Sequence, residues 1–160
     1  MAWTAPRTWV ADEVVTAAVM NAHVRDNLKA IGDAWTSYTP TLAQGVSTNI
    51  AKTVTYAKYV AVGKLIICQV RLDPTGTGTA GSPITITLPA TAATSVYVVG
   101  SGSYSDTGTA LYAAIAWMTS TTTLELRRTD QAYTAGIGAD PNIAVASGDV
   151  FRASFMYEAA

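Results

Sequence analysis

Carboxylates are the side chains of this sequence that could perform chemistry, because an Asp/Glu pair can act as general acid and as nucleophile or base in glycoside hydrolysis. The candidates are Asp73, Asp106, Glu125, Asp130, Asp140 and Asp149. They fall in predicted turns or beside basic residues, and no spacing singles out one pair. Asp favours turns because it hydrogen-bonds to nearby backbone. We therefore expect turn or surface roles, with Glu125 and Arg127 as a surface ion pair.

The sequence contains only one histidine and one cysteine that could take part in catalysis or metal binding. His23 is the sole histidine and lies in a predicted helix, so the region that follows lacks the histidine that a serine or cysteine hydrolase needs. A single cysteine, Cys68, excludes an intrachain disulfide and a cysteine-based zinc site. The glycines of residues 76–81 follow no P-loop pattern. We expect a chain that is not an enzyme and holds no cofactor or metal.

Aromatic side chains are the better candidates for a binding role. Exposed rings offer an apolar face and a polar edge, and about half of the rings here should instead be core or interface. The candidates for surface recognition, with a host cell-surface glycan as the expected partner, are Tyr97, Tyr104, Tyr112 and Tyr133.

Composition favours a protein that packs against other chains. Hydrophobic residues make up 49% of the 160 residues and charged residues only 13%, about half the usual share. The net charge of −1 comes with scattered basic residues, which predicts neither nucleic acid nor membrane as a partner. Residues 1–7 lack the pattern of a secretory signal, so we expect assembly in the cytoplasm.

The N-terminal region predicts an extended arm and one amphipathic helix. Residues 1–15 read as an arm anchored by Trp3, Trp9 and Val10. Thr16 is a predicted N-cap, and Gly32 is a predicted left-handed C-terminal residue. At α-helical spacing, one face for trimer packing carries Met20, Val24, Asn27, Leu28 and Ile31.

From residue 37 onward the sequence is typical of short antiparallel strands. The alternation of Ile66, Cys68, Val70 and Leu72 with polar residues predicts a half-buried strand. Strands are predicted near 37–43, 52–61, 64–72, 84–88, 95–104, 110–118, 123–128 and 149–158, with loops at 73–83, 101–109 and 129–148. The predicted fold is mainly β, with an arm and helix at 1–36 and a jelly-roll-like antiparallel β-sandwich at 37–160.

The segment Thr8–Leu28 resembles the N-terminal segment of small tail-associated proteins of phages that infect actinobacteria and related hosts. The segments Trp35–Leu42, Tyr59–Lys64 and Ile84–Pro89 are similar to β modules at the ends of phage fibres. The resemblance implies a virion protein, commonly trimeric, whose helical segment attaches and whose β domain projects outward.

The function expected from the sequence is therefore structural. The first expectation is a homotrimeric tail-tip or fibre-like protein that docks on other phage virion proteins and contacts the host surface. The second is a trimeric capsid decoration protein that uses the arm as its adhesive. A glycan-degrading depolymerase is a distant third.

Overall fold

The computed structural model describes residues 4–32, 34–95, 97–130 and 135–160, and within them the protein is mainly β, as expected. The predicted N-cap of the helix is confirmed, since the Thr16 hydroxyl accepts from the Val19 amide at 3.3 Å. The expectation for Gly32 is wrong. This glycine is the last helical residue and does not have a positive φ.

The N-terminal helix is not α-helical throughout. It consists of α1 (Ala17–Met20), a π-helical turn (Asn21–Arg25) and α2 (Asp26–Gly32). The Asp26 amide donates to the Asn21 carbonyl five residues back, which widens the turn. The predicted apolar stripe assumed α spacing throughout, so Leu28 and Ile31 do not continue from Met20 at α-helical angles.

Nine strands lie within the described residues. Their bounds are β1 (Thr36–Ser37), β2 (Leu42–Gln44), β3 (Lys52–Val62), β4 (Leu65–Pro74), β5 (Ile84–Thr87), β6 (Val98–Asp106), β7 (Ala110–Met118), β8 (Thr123–Arg128) and β9 (Val150–Glu158). They form one antiparallel sheet in the order β1-β3-β4-β9-β6-β7-β8-β5-β2.

The sheet is strongly curled, because its two edge strands are close together in the chain. Residues 38–41 lead from β1 at one edge to β2 at the other, and the five steps from Ser37 to Leu42 span at most about 18 Å. A flat sheet with this strand order would be about 38 Å wide. Near the junction of the edges, the Ile50 amide, just before β3, donates to the Leu42 carbonyl at 2.7 Å.

The core fills the inside of this curl. Alternate residues of each central strand point inward, as the half-buried pattern predicted. The inward side chains of the two middle strands are Ile66, Cys68, Val70, Leu72, Phe151, Ala153, Phe155 and Tyr157, and all belong to one hydrophobic cluster.

Gln44 ties three segments together beneath the edge of β2. Its side chain is 1% exposed, and its Nε2 donates to the carbonyls of Ser82 at 3.1 Å and Ile143 at 2.7 Å. Its Oε1 accepts from the Val145 amide at 2.9 Å. The Gln44 amide therefore joins the loops 75–83 and 135–149 to β2, in addition to backbone hydrogen bonds such as that from the Ile137 amide to the Leu126 carbonyl at 2.8 Å.

Two loop and strand predictions are wrong. The predicted strand 37–43 is divided into β1 and β2, because Pro40 cannot donate to a ladder where the chain crosses between the sheet edges. The predicted loop 101–109 is strand as far as Asp106, and only the following residues turn. The serines and glycines of β6 have weak strand propensity, but β7 and β9 pair with them on both sides.

Candidate functional site

A groove of about 450 Å³ crosses the outer face of the sheet over β3, β4, β9 and β6. This volume lies within the range of about 300–1,000 Å³ that small-ligand sites occupy. We call it the outer groove, and it is lined by Tyr56, Gln69, Val70, Arg71, Ser101, Gly102, Ser103, Arg152, Ala153 and Ser154.

Strand register builds the outer groove as two rows of outward side chains. The first row runs Tyr56, Arg71, Arg152, Ser103 across the four strands. The second row, displaced by two residues, runs Lys58, Gln69, Ser154, Ser101. Directly opposite side chains in such rows have Cβ atoms about 4.5–5.5 Å apart, so each row is a continuous strip of polar groups.

Two arginines face each other at the centre of the first row. Arg71 pairs directly with Arg152 across β4 and β9, an arrangement that is destabilising unless an anion lies nearby. Arg71 donates from Nε to Asp73 at 3.2 Å. The Arg152 guanidinium forms no hydrogen bond or ion pair with any described residue.

Asp73 is the acidic group beside the two arginines. Partial burial acts to raise the pKa of Asp73. The hydrogen bonds from Thr55 and Arg71 and the charges of Arg71 and Arg152 act more strongly in the other direction, so the pKa is lowered overall. Asp73 is therefore ionised at neutral pH and balances one of the two arginines. The outer groove keeps a net positive charge in a chain whose overall charge is −1.

The rim of the outer groove on β3 is aromatic. Tyr56 is 37% exposed, and the Lys58 ammonium lies 5.5 Å from its ring centroid. On the β6 side, the rim consists of small hydroxyl side chains. The outer groove thus combines one ring, several neutral donors and acceptors and Arg152, a cation without an ion pair among the described residues.

The predicted recognition tyrosines are dispersed. Tyr97 is 63% exposed and packs on Trp117 at 4.9 Å between ring centroids. Tyr112 is half-buried beneath the Arg128 guanidinium, which lies 5.5 Å from its ring. The prediction is wrong for Tyr104, which is 1% exposed and donates to Asp149 at 2.6 Å. Tyr133 lies outside the described residues.

Tyr104 could have been assigned to the interior from the sequence. It alternates with Ser103 and Ser105, so in a paired strand the tyrosine and the serines point to opposite faces. In the sheet it lies opposite Phe151, an inward residue of β9.

Among the carboxylates that were considered for glycosidase chemistry, Asp149 and Asp130 have clear structural partners. Asp149 is 1% exposed and accepts from Tyr104 and from the amides of Thr107 at 3.0 Å and Ala146 at 2.8 Å. Asp130 is paired with Arg128 at 2.5 Å. Burial raises the pKa of Asp106, as does the charge of Asp149. Asp140 lies in a bend next to Pro141.

The Glu125–Arg127 ion pair forms as predicted, at 2.5 Å, but it does not lie on the surface. Glu125 is 2% exposed, and Gly136 of the loop 135–149 lies against its carboxylate. Burial raises its pKa, and the Arg127 guanidinium opposes this shift. The Arg127 guanidinium also lies 4.1 Å from the ring centroid of Trp117, the ring on which Tyr97 packs.

The arm is held on the helix by Asn27. This side chain is 7% exposed, accepts from the Thr4 amide at 3.0 Å and donates to the Thr4 carbonyl at 2.9 Å. His23 Nδ1 lies 3.2 Å from the Ala5 carbonyl. The polar groups of Asn27 are therefore engaged within the chain, and its predicted role in a trimer stays a prediction.

Many apolar side chains of the arm and helix face away from the protein. The exposed fractions are 44% for Trp9, 68% for Val10, 44% for Met20, 64% for Leu28 and 57% for Ile31, while Val24 is half-buried. Arg7 pairs with Glu13 and lies 5.0 Å from the Trp9 ring. Trp3 lies outside the described residues.

No group of side chains suited to a metal ion is found in the described part of the chain. Among the same residues, no helix has the length and apolar content needed to cross a membrane. No family model matches the chain, and no curated protein or solved structure is significantly similar to it.

Proposed function

We propose that this chain is a non-enzymatic structural subunit of a bacteriophage particle, a homotrimeric tail-tip or fibre-like appendage that attaches through its N-terminal segment. The observation that carries the proposal is the exposure of apolar side chains from Trp9 to Ile31 beside a β region with its own core. The assignment to a phage particle rests on the resemblance of Thr8–Leu28 to tail-associated phage proteins.

The physical argument for association rests on the exposed apolar surface of the helix. A short helix is marginal in water unless its apolar side chains pack against something. Burial of each large side chain contributes about 1.5–3 kcal/mol, and Leu28 and Ile31 are both more than half exposed. Three copies around an axis, or three copies docked on another virion protein, bury these side chains.

In this proposal the β region is the distal, sandwich-like module of the trimer. Its hydrophobic core contains no residue of the helix, and the main contact of the helix with the sheet is between α2 and β3. The outer groove and Tyr97 lie on this module and are available to contact the host surface.

The oligomeric state is tested by replacing Leu28 and Ile31 together with Asp. In a monomer both side chains are largely exposed, so the change would cost little, whereas in a trimer it places charges in the contact. By light scattering we expect the unaltered chain at about three times its 16.7 kDa mass and the double variant as a monomer. Val46→Asp, at a position that is 85% exposed in a turn of the β region, is the matched control and should stay trimeric.

Location in the particle is tested by antibody labelling of virions of the phage that encodes the chain, viewed by electron microscopy. Label at the tail tip supports the proposal. Label over the shell would instead establish a capsid decoration protein, and unlabelled particles would contradict both. Turnover of host polysaccharide that is lost on Asp130→Asn, at a carboxylate that is largely exposed, would favour a depolymerase.

A further inference from the structure

We propose that the outer groove binds an acidic saccharide, whose carboxylate lies between Arg152 and Arg71. The neutral hydroxyls of the sugar bond to the polar strip formed by Gln69, Ser101 and Ser154. That this saccharide belongs to a host surface rests on the proposed function, whereas the binding chemistry does not.

The charges in the first row favour a further anion, because Asp73 balances only one of the two arginines. Arg71 and Arg152 lie directly opposite each other on neighbouring strands, and of the two only Arg71 forms an ion pair with a described carboxylate. A guanidinium presents five donors in a planar fork that matches a carboxylate, and Arg71 uses Nε on Asp73. A ligand carboxylate accepts from Arg152 and from the remaining donors of Arg71 and removes the repulsion between them.

A saccharide, rather than a bare anion, fits the rest of the lining. Gln69, Ser101, Ser103 and Ser154 surround the arginine pair with neutral groups that both donate and accept, as sugar hydroxyls require. A bare phosphate or sulfate would leave these groups unused. Tyr56 at the rim offers an apolar ring face, partly shared with Lys58, against which the faces of sugar rings pack.

The shape of the outer groove also argues against a peptide strand as the ligand. An extended peptide binds best at a sheet edge, where backbone groups are free. The outer groove lies on the face of β3, β4, β9 and β6, and β4, β9 and β6 are each paired on both sides. Side-chain chemistry alone is available there.

The test is calorimetric titration of the full chain with a short oligogalacturonate, a neutral galactose oligomer of the same length, inorganic phosphate and a short oligoglutamate. We expect the oligogalacturonate to bind at least tenfold more tightly than the other three. Arg152→Gln should weaken this binding about tenfold or more. The matched control is Lys64→Gln, which removes an exposed charge at the turn between β3 and β4. This variant should bind oligogalacturonate as tightly as the parent.

Two further variants separate a saccharide site from a general positive patch. Arg152→Lys keeps the charge but loses the planar fork, so its affinity should lie between those of the parent and Arg152→Gln. Ser154→Ala should weaken oligogalacturonate binding several-fold and leave any weak phosphate binding unchanged. Because Arg152→Gln relieves a like-charge contact, its thermal midpoint should not fall, which shows that lost binding is not lost folding.

The inference is overturned if the unaltered chain does not bind oligogalacturonate, if phosphate or oligoglutamate binds equally well, or if Arg152→Gln binds like the parent. These outcomes are independent of the proposed function. Binding of the saccharide by a chain that labels no virion would contradict the phage assignment alone, and a labelled virion protein without saccharide binding would contradict this inference alone.

Discussion

At the scale of single residues, Gln44 is a buried side chain that joins two loops to the sheet. Gln44→Ala would leave the amide of Val145 and the carbonyls of Ser82 and Ile143 without their partner in a buried site. An orphaned buried polar group costs about 1–3 kcal/mol. We expect the free energy of unfolding to fall by about 2–4 kcal/mol, measured by urea denaturation.

The matched control is Gln69→Ala, because Gln69 is the same residue type on the exposed face of β4. Its substitution should change the free energy of unfolding by less than about 0.5 kcal/mol. Equal effects of the two substitutions would show that the Gln44 hydrogen bonds do not stabilise the fold.

Single-residue roles were the part of the structure least accessible from the sequence. A glutamine in a short strand carries no mark of burial, and the partners of Gln44 lie on two distant loops. The outward positions of Arg71 and Arg152 follow from alternation within their strands. Their meeting does not, because it depends on β4 and β9 being neighbours in the sheet.

At the scale of elements, β6 can pair closely with β9 only because β6 contains glycines at inward positions. A Cβ added at Gly102 would clash with the Arg152 carbonyl oxygen and would lie 2.7 Å from Leu126 Cδ2. We expect Gly102→Ala to lower the free energy of unfolding by about 1–3 kcal/mol, measured by chemical denaturation.

Gly32→Ala is the control, since nothing lies within 4 Å of a Cβ added there. It should leave stability unchanged or raise it slightly, because alanine narrows the unfolded ensemble. Tolerance of alanine at Gly102 would mean that β6 and β9 can separate without loss of packing.

Elements with strong alternation were predicted with accurate bounds. The glycine- and serine-rich β6 was predicted as a strand at 95–104 that overlapped a loop at 101–109, so its second half was left ambiguous. The bounds of β3, β4, β7, β8 and β9 lie within two residues of the prediction, because each carries a clear apolar face. In β6, Gly100, Ser101, Gly102 and Ser103 resemble a loop in composition, and neighbouring strands impose the extended conformation. The π-helical turn has no sequence signal of comparable strength.

At the scale of the whole molecule, a buried thiol and several buried tyrosine hydroxyls should make the protein less stable at alkaline pH. Burial raises the pKa of Cys68 to about 11 and that of Tyr157 to about 12. Burial likewise raises the pKa of Tyr38 and of Tyr104, where hydrogen bonding to Cys68 and to Asp149 respectively adds to the effect. In the unfolded chain the thiol releases its proton near pH 9.0 and tyrosine near pH 10.0.

The folded state therefore binds more protons than the unfolded state above about pH 9. The contribution of these groups is fully present below that pH and is lost as the pH rises through about 11 to 12. We expect the urea midpoint to fall steadily over this range, and the fall to be shallower in Tyr157→Phe. A midpoint that stays constant up to about pH 11 would contradict the prediction.

The position of β9 has a consequence for how the protein is made. β9 is the last of the strands in the described residues, yet it lies between β4 and β6 near the middle of the sheet order. During synthesis, the edges of β4 and β6 that pair with β9 therefore have no partner until residues 150–158 have left the ribosome. Chains that stop before this point lack the strand that joins the two parts of the sheet, so the central part of the fold cannot form until synthesis has passed β9.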